Sequence, residues 1–229
     1  MRVFDPGVDW YIEKLVQDRP FSFARYGDGE WSCILGAGQV ATAHQRFTPE
    51  LRDALTQTVT EAHGHDCFLA ISPRGGAVQG MWGRIERWIA THAPDVEWHE
   101  KVTWARASQQ GRLPDLVAAM RPHGIVVVGP RWLRRLDFYD EFIEVRPYHC
   151  WADFESIVGA MVPCEGSAIS ISAGPAAKVL VHRLYPLIGK RSWLLDMGSV
   201  WDPYCGHRSR TYQRRMSANW NIFGGGNDR

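Results

Sequence analysis

Residues 21–36 read Phe-Ser-Phe-Ala-Arg-Tyr-Gly-Asp-Gly-Glu-Trp-Ser-Cys-Ile-Leu-Gly, and within them Asp28 and Glu30 stand two apart between glycines. In an extended segment, residues two apart point to the same side, so the pair would present two carboxylates together. Mg²⁺ and Mn²⁺ take hard oxygen ligands of this kind, usually one or two carboxylates completed by phosphate oxygens and water. Gly29 removes bulk between them and lets a ligand approach the backbone. The chemistry expected of such a turn is metal-assisted work on a diphosphate. The same two residues also have a structural reading, in which Asp28 caps the following helix and Glu30 complements its dipole. Spacing alone does not separate the two. Arg25, just before the turn, is placed to pair with a phosphate or anchor a carboxylate, and the start of the next helix would aim free N–H groups at an anion.

Asp-x-Glu is a weak signal by itself, since Asp95-Val-Glu97 and Asp153-Phe-Glu155 share the spacing. Context sets the first pair apart. Asp153 and Glu155 fall in an expected helix, where residues two apart face different ways. Asp95 and Glu97 follow a proline at a helix end, a usual place for solvated charge. Only Asp28 and Glu30 follow an apolar strand pattern, Phe21–Arg25, and lie between glycines.

The elements that must position this turn alternate along the chain. Hydrophobic periodicity predicts helices over Val8–Gln17, Gly27–Leu35, Thr48–Ala62 (Thr48 as N-cap, Pro49 at the first helical position), Val78–Ala90, Leu113–Met120, Trp151–Met161 and Gly174–Leu187. Strands are expected at Phe21–Arg25, Cys67–Ser72, Trp98–Thr103, Gly124–Gly129, Phe142–Arg146, Ala168–Ser172 and Ser192–Asp196, with a short helical turn over Arg131–Leu136. Strand–helix alternation calls for crossover helices and a mainly parallel sheet covered on both faces. The expected fold is therefore α/β, a single Rossmann-like domain over residues 1–229, with its core at about 21–198 and a polar, aromatic and basic tail at 199–229. Ligands of open α/β sheets bind beyond the carboxyl ends of the strands. Those ends carry Asp28 and Glu30, Ser72 and Arg74, Gly129 and Arg131, Arg146, Ser172 to Gly174, and Asp196.

Composition limits the partners. A formal charge of +1 gives no general attraction to nucleic acid or anionic membrane, so any phosphate binding must be local. The five cysteines are scattered and without metal-type spacing, which fits free thiols in a reducing compartment, and Cys33 reads as a buried thiol. No apolar run approaches membrane-spanning length, and the expected location is cytoplasmic. Gly124–Gly129 is neither a dinucleotide fingerprint nor a P-loop. His63-Gly-His65-Asp66 reads as a polar connector rather than a metal site. Eleven tryptophans suggest either a stacking surface or, more simply, core packing.

Arg25-Tyr26-Gly27-Asp28-Gly29-Glu30 resembles the Arg-Tyr-Gly-Asp-Gly-Glu motif of the GT-D type glycosyltransferases, once catalogued as the domain of unknown function DUF1792. Ser172 to Leu180 is similar to that family's Gly-Pro-Thr-Ala-x-Val-Leu segment, and Leu195-Asp196-Met197-Gly198 to its Asp-Ile-Gly segment. The resemblance spans roughly residues 21 to 198. It implies a Rossmann-like fold and transfer of a sugar from a nucleoside diphosphate sugar, a UDP-sugar being favoured. It also implies a divalent metal, Mn²⁺ or Mg²⁺, held by Asp28 and Glu30, and a nucleotide pocket that includes Arg25, Tyr26, Gly27 and Gly29, to which the rim adds Ser72, Arg74 and Gly174. Two positions depart from the pattern: Ser199 stands where many members have His, and His149-Cys150 where many have Asn-Ala.

Sugar transfer builds negative charge on a leaving diphosphate, which a metal or basic side chains such as Arg25, Arg74 or Arg131 would neutralise. An inverting transfer needs a base on the acceptor hydroxyl, and Asp196 and Asp202 are the candidates. The acceptor is expected to be a glycan, a glycoprotein or a small molecule. Two readings compete: another Rossmann-like transferase such as an S-adenosylmethionine-dependent methyltransferase, with Ser172-Ala173-Gly174 as its cofactor loop, and a non-catalytic nucleotide- or sugar-binding module.

Overall fold

The computed structural model describes residues 1–36, 45–61, 64–73, 76–208, 210 and 213. Its strands are β1 (Val3–Phe4), β2 (Ser22–Arg25), β3 (Cys67–Ile71), β4 (Trp98–Glu100), β5 (Ile125–Gly129), β6 (Glu141–Glu144), β7 (Ala168–Ile171) and β8 (Trp193–Asp196). They form one eight-stranded sheet in the order β1-β4-β3-β2-β8-β7-β5-β6, with every neighbouring pair parallel. The helices are α1 (Val8–Val16), α2 (Asp28–Ile34), α3 (Pro49–Thr60), α4 (Gly76–His92), α5 (Thr103–Gln109), α6 (Leu113–Met120), α7 (Phe154–Met161) and α8 (Ala176–Leu184).

The inner strands β3, β5 and β7 are almost wholly apolar and buried because both faces are covered, whereas the edge strand β6 (Glu-Phe-Ile-Glu) is partly exposed. Successive side chains point to opposite faces, so each strand feeds two cores. Val126 and Val128 of β5 join α2, α3, α4, α7 and α8 on one face, while Ile125 and Val127 join α1, α5 and α6 on the other. Trp31, Trp98, Trp104, Trp193 and Trp201 are among the largest fully buried side chains, so much of the tryptophan content is core packing.

The sequence-based elements hold with some differences. The expected helix Trp151–Met161 opens as a 3₁₀ turn over Cys150–Asp153 and is α-helical only from Phe154, and the expected end of the Thr48 helix at Ala62 lies outside the described residues. The expected strand Trp98–Thr103 stops at Glu100, and Thr103 instead opens α5, which periodicity had not indicated. The two-residue β1 was not anticipated either. The expected helix Gly174–Leu187 begins only at Ala176, because Gly174 has a φ of 56°, and at Tyr185 it passes into a π-turn through Gly189. Pro186 within that turn has no N–H to continue the α-helical ladder. Among the described residues no helix is long and apolar enough to cross a membrane.

Candidate active site

The sheet order places β2 beside β8, paired through Ser22–Leu194 and Phe23–Leu195. From β2 the strands run outward to β3 and β4, and from β8 they run the other way to β7, β5 and β6. Such a reversal of strand order opens a crevice at the carboxyl ends of the two strands. Arg25 is the last residue of β2 and Asp196 the last of β8, so both stand on this rim.

The two are tied directly. The Arg25 backbone N–H donates to Asp196 Oδ2 at 3.0 Å, and Arg25 Nη1 donates to the Met197 carbonyl at 2.7 Å. The guanidinium lies across Gly198, where a Cβ would come within 3.2 Å of both terminal nitrogens and where φ is 57°.

Beyond β2 the chain turns at Gly27 into α2, with Asp28 and Glu30 in its first turn. This corrects the extended geometry expected for the pair. On a helical turn they do not share a side: Asp28 is exposed, whereas Glu30 is buried at 7% exposure. The Glu30 carboxylate reaches back to accept the Gly27 N–H through Oε2 at 2.7 Å, half of a capping box. Its other oxygen, Oε1, receives Lys178 Nζ at 2.9 Å.

Lys178 links the parts. It sits in the first turn of α8 and curls back so that Nζ reaches Glu30 Oε1, Asp196 Oδ2 at 3.1 Å and the Gly174 carbonyl at 3.1 Å. An ammonium has three N–H donors, and all three are used. Burial alone would raise the Glu30 carboxyl, but the Lys178 charge and hydrogen bond, with those from backbone N–H groups, hold it below its ordinary value. Burial likewise works against the Lys178 ammonium, and Asp196 and Glu30 overcome it and raise its pKa. Asp196 has no measurable exposure, and its Oδ1 is buried with no hydrogen-bond partner.

The structure thus brings together Arg25, Gly27, Glu30, Gly174 and Asp196, with Asp28 and Gly29 at the mouth. Ser72 lies buried at the end of β3, and Arg74 falls outside the described residues. Tyr26 belongs to the core: its ring packs against Trp31 and Trp98, and its hydroxyl donates to Thr58 Oγ1 at 2.6 Å, leaving only its backbone for a ligand. Asp202 accepts Trp132 Nε1 at 3.0 Å and is thereby drawn toward the segment after β5. Arg146 is engaged by Asp153 at 2.6 Å.

Sequence reasoning missed two lysines. Lys178 had a signal, a lone cation in the apolar run Ala176-Ala177-Lys178-Val179-Leu180. Lys101 had none, because the strand before it was read too long. It follows β4 directly, and its ammonium lies 3.7 Å from where a Gly27 Cβ would stand. Burial is the main influence lowering its pKa; Glu30, Asp28 and Glu100 oppose the shift and Arg25 adds to it.

A two-carboxylate metal clamp does not fit these residues. Glu30 is fully engaged by Lys178 and Gly27, and it faces inward while Asp28 faces solvent. Among the described residues no three His, Cys, Asp or Glu side chains are grouped as a metal cage.

No protein-family model matches this chain, and no curated protein matches it in sequence. Solved structures do. A structure described as a new glycosyltransferase (DUF1792) from Streptococcus sanguinis superposes with a TM-score of 0.68 over 89% of this chain and 84% of that one, at 18% identity. A second, described as the domain of unknown function 1792 with a distinct glycosyltransferase fold, superposes with a TM-score of 0.69 over 95% of this chain and 90% of the other, at 13% identity. A selenomethionine-substituted structure of the domain of unknown function 1792 gives the same values. The chain therefore has the fold of the DUF1792 glycosyltransferase structures, the family to which its motifs bear resemblance.

Proposed function

We propose that this protein is a glycosyltransferase that moves a sugar from a nucleoside diphosphate sugar, with uridine the favoured base, to a hydroxyl of a glycan, glycoprotein or small molecule. The observation that carries this reading is the network of Arg25, Glu30, Lys178 and Asp196 at the β2–β8 crevice, on a sheet with the DUF1792 glycosyltransferase fold. Transfer breaks the bond between the anomeric carbon and the diphosphate, leaving the electron pair on a phosphate oxygen. The Arg25 guanidinium would take up part of that growing charge. Asp196, whose Oδ2 receives the Arg25 N–H and Lys178 Nζ and whose Oδ1 is buried, would serve to hold Arg25 and Lys178 in place at the end of β8. Manganese or magnesium dependence, expected from the sequence, enters as a variable to be measured.

The test is a thermal-shift panel of nucleoside diphosphates and their sugars, with and without Mn²⁺, alongside S-adenosylmethionine. Positive hits are followed by assay of nucleoside diphosphate release. Stabilisation by one base with release of its diphosphate is expected. Stabilisation by S-adenosylmethionine alone would move the protein to the methyltransferases, and donor binding without turnover in the presence of acceptors would make it a binding module.

A further inference from the structure

Two short 3₁₀ turns stand on the rim where β5 and β8 end, Arg131–Arg135 after β5 and Asp202–Cys205 after β8. Three contacts hold these segments together. Trp132 Nε1 donates to Asp202 Oδ1 at 3.0 Å, the Trp132 ring stacks on His207 with centroids 4.4 Å apart, and Arg135 Nη1 donates to the Cys205 carbonyl at 3.0 Å. The packing gathers five exposed arginines, Arg131, Arg134 and Arg135 from one segment and Arg208 and Arg210 from the other. On a chain whose formal charge is +1, that concentration is local.

Acidic side chains do not balance it. Among the described residues, Arg134 alone of the five is paired with a carboxylate, that of Glu144 at 3.0 Å. Asp202 is buried and gives Oδ1 to Trp132, and the exposed Asp137 makes no ion pair with these arginines. Arg131 and Arg208, each next in sequence to one of the stacked rings, have no hydrogen-bond or ion-pair partner among the described residues. Arg210 Nε donates to Ser199 Oγ at 3.4 Å, and Ser199 follows Gly198, on which the Arg25 guanidinium rests. The patch therefore starts at the candidate crevice and runs from the end of β8 past β7 to β5, two strand spacings or about 10 Å.

We propose that this surface binds the acceptor, and that the acceptor carries anionic groups, carboxylate or phosphate, on its sugar units. The inference rests on the proposed sugar transfer and names the substrate class for it. A guanidinium is a planar fork of five N–H donors that matches the oxygens of a carboxylate or phosphate. Arg135 and Arg210 each use one donor within the protein and keep the others. Gathered arginines repel one another, and an anionic ligand relieves that repulsion where a neutral sugar does not. The leaving diphosphate is met by Arg25 at the end of β2, so the patch on the β5 side of the crevice is left to the other substrate. Arg131, offered by its position in the sequence to the leaving diphosphate, belongs on the acceptor side.

The probes are trigalacturonic acid for carboxylates, a glycerol phosphate trimer for phosphodiesters and maltotriose as the neutral reference. Each is titrated calorimetrically into the full chain at low ionic strength. One anionic probe should bind about tenfold more tightly than maltotriose, and which one it is names the anion. Salt at about 0.3 M should erase most of that margin. Arg131→Gln and Arg208→Gln should each weaken binding of that probe about fivefold, as expected for an exposed charge pair. Lys190→Gln, at an exposed lysine before β8, should bind as wild type does. The substituted arginines are exposed, so the variants are expected to fold, and their melting temperatures check this. If neither anionic probe binds more tightly than maltotriose, or if both arginine variants match wild type, the assignment is wrong. UDP affinity is the second readout. Its loss in Arg208→Gln would give the patch to the donor and overturn the proposal equally. The two proposals fail separately. Arginine-dependent binding of an anionic probe in a protein that releases no nucleoside diphosphate would leave the surface and remove the function. Sugar transfer to neutral acceptors, unaffected in both arginine variants, would do the reverse.

Discussion

Lys178 holds two carboxylates and a carbonyl from three different rim segments with one ammonium. Removing one member of a buried ion-paired group leaves an uncompensated charge, which costs about 3–5 kcal/mol. Lys178→Met should therefore lower stability by about that amount in denaturant titrations. An effect under ~1 kcal/mol would mean the carboxylates find other partners. The same geometry separates two substitutions that the sequence treats as equivalent. Asp28→Asn changes an exposed side chain and should leave the melting temperature nearly as it is. Glu30→Gln weakens the charge pair with Lys178, and its amide has a donor where Gly27 and Lys178 need acceptors. A loss of about 2 kcal/mol is expected, so any fall in activity in Glu30→Gln must be corrected for folding. Equal melting temperatures for the two variants would show that Glu30 does not make these contacts.

At the scale of elements, the turn after β8 shows how a backbone conformation positions a side chain. Gly198 has a φ of 57°, and the Arg25 guanidinium rests where its side chain would be. Gly198→Ala pays the left-handed penalty of about 1–2 kcal/mol and pushes on Arg25. It should lose nucleoside diphosphate binding beyond what its stability loss explains. Unchanged binding in a folded Gly198→Ala would remove Arg25 from the pocket. Much of this scale was legible in the sequence. The Thr48-Pro49 helix start is present, with Thr48 Oγ1 accepting the Leu51 N–H at 3.2 Å, because cap chemistry is local. The valine run of β5 is a strand because its length and branching leave no other reading. The site was legible only in part. Arg25 and Asp196 could be placed on one rim from strand ends alone, but the partner of Glu30 depends on α8 crossing back over β2, which no local pattern encodes. Reading Trp98–Thr103 as one strand hid Lys101, since a three-residue strand gives periodicity too little length to mark its end.

The whole molecule is a sheet with two cores, and the one on the α1, α5 and α6 face holds a titratable group. His99 stacks on Phe68 with ring centroids 4.4 Å apart, and its Nδ1 lies 2.6 Å from the Tyr11 hydroxyl. Burial, helped by Lys14, pushes its pKa from 6.5 down to about 4. The native protein therefore keeps this ring neutral over a range in which the unfolded chain protonates it. Stability from this group is complete above about pH 6.5, falls as pH drops from there, and stops falling below about pH 4. The full loss is of order 3 kcal/mol. Glu30, whose carboxyl is held below its ordinary 4.5, adds a loss of the same sign that begins only near that lower pH. The interval between about pH 6.5 and pH 5 therefore isolates His99 from this carboxylate. His99→Gln keeps an acceptor for Tyr11 and removes the titration. Its unfolding free energy should change less across that interval than that of wild type, by about 2 kcal/mol in urea titrations at the two ends. Parallel profiles for the two proteins would show that the ring takes up its proton without disturbing the core.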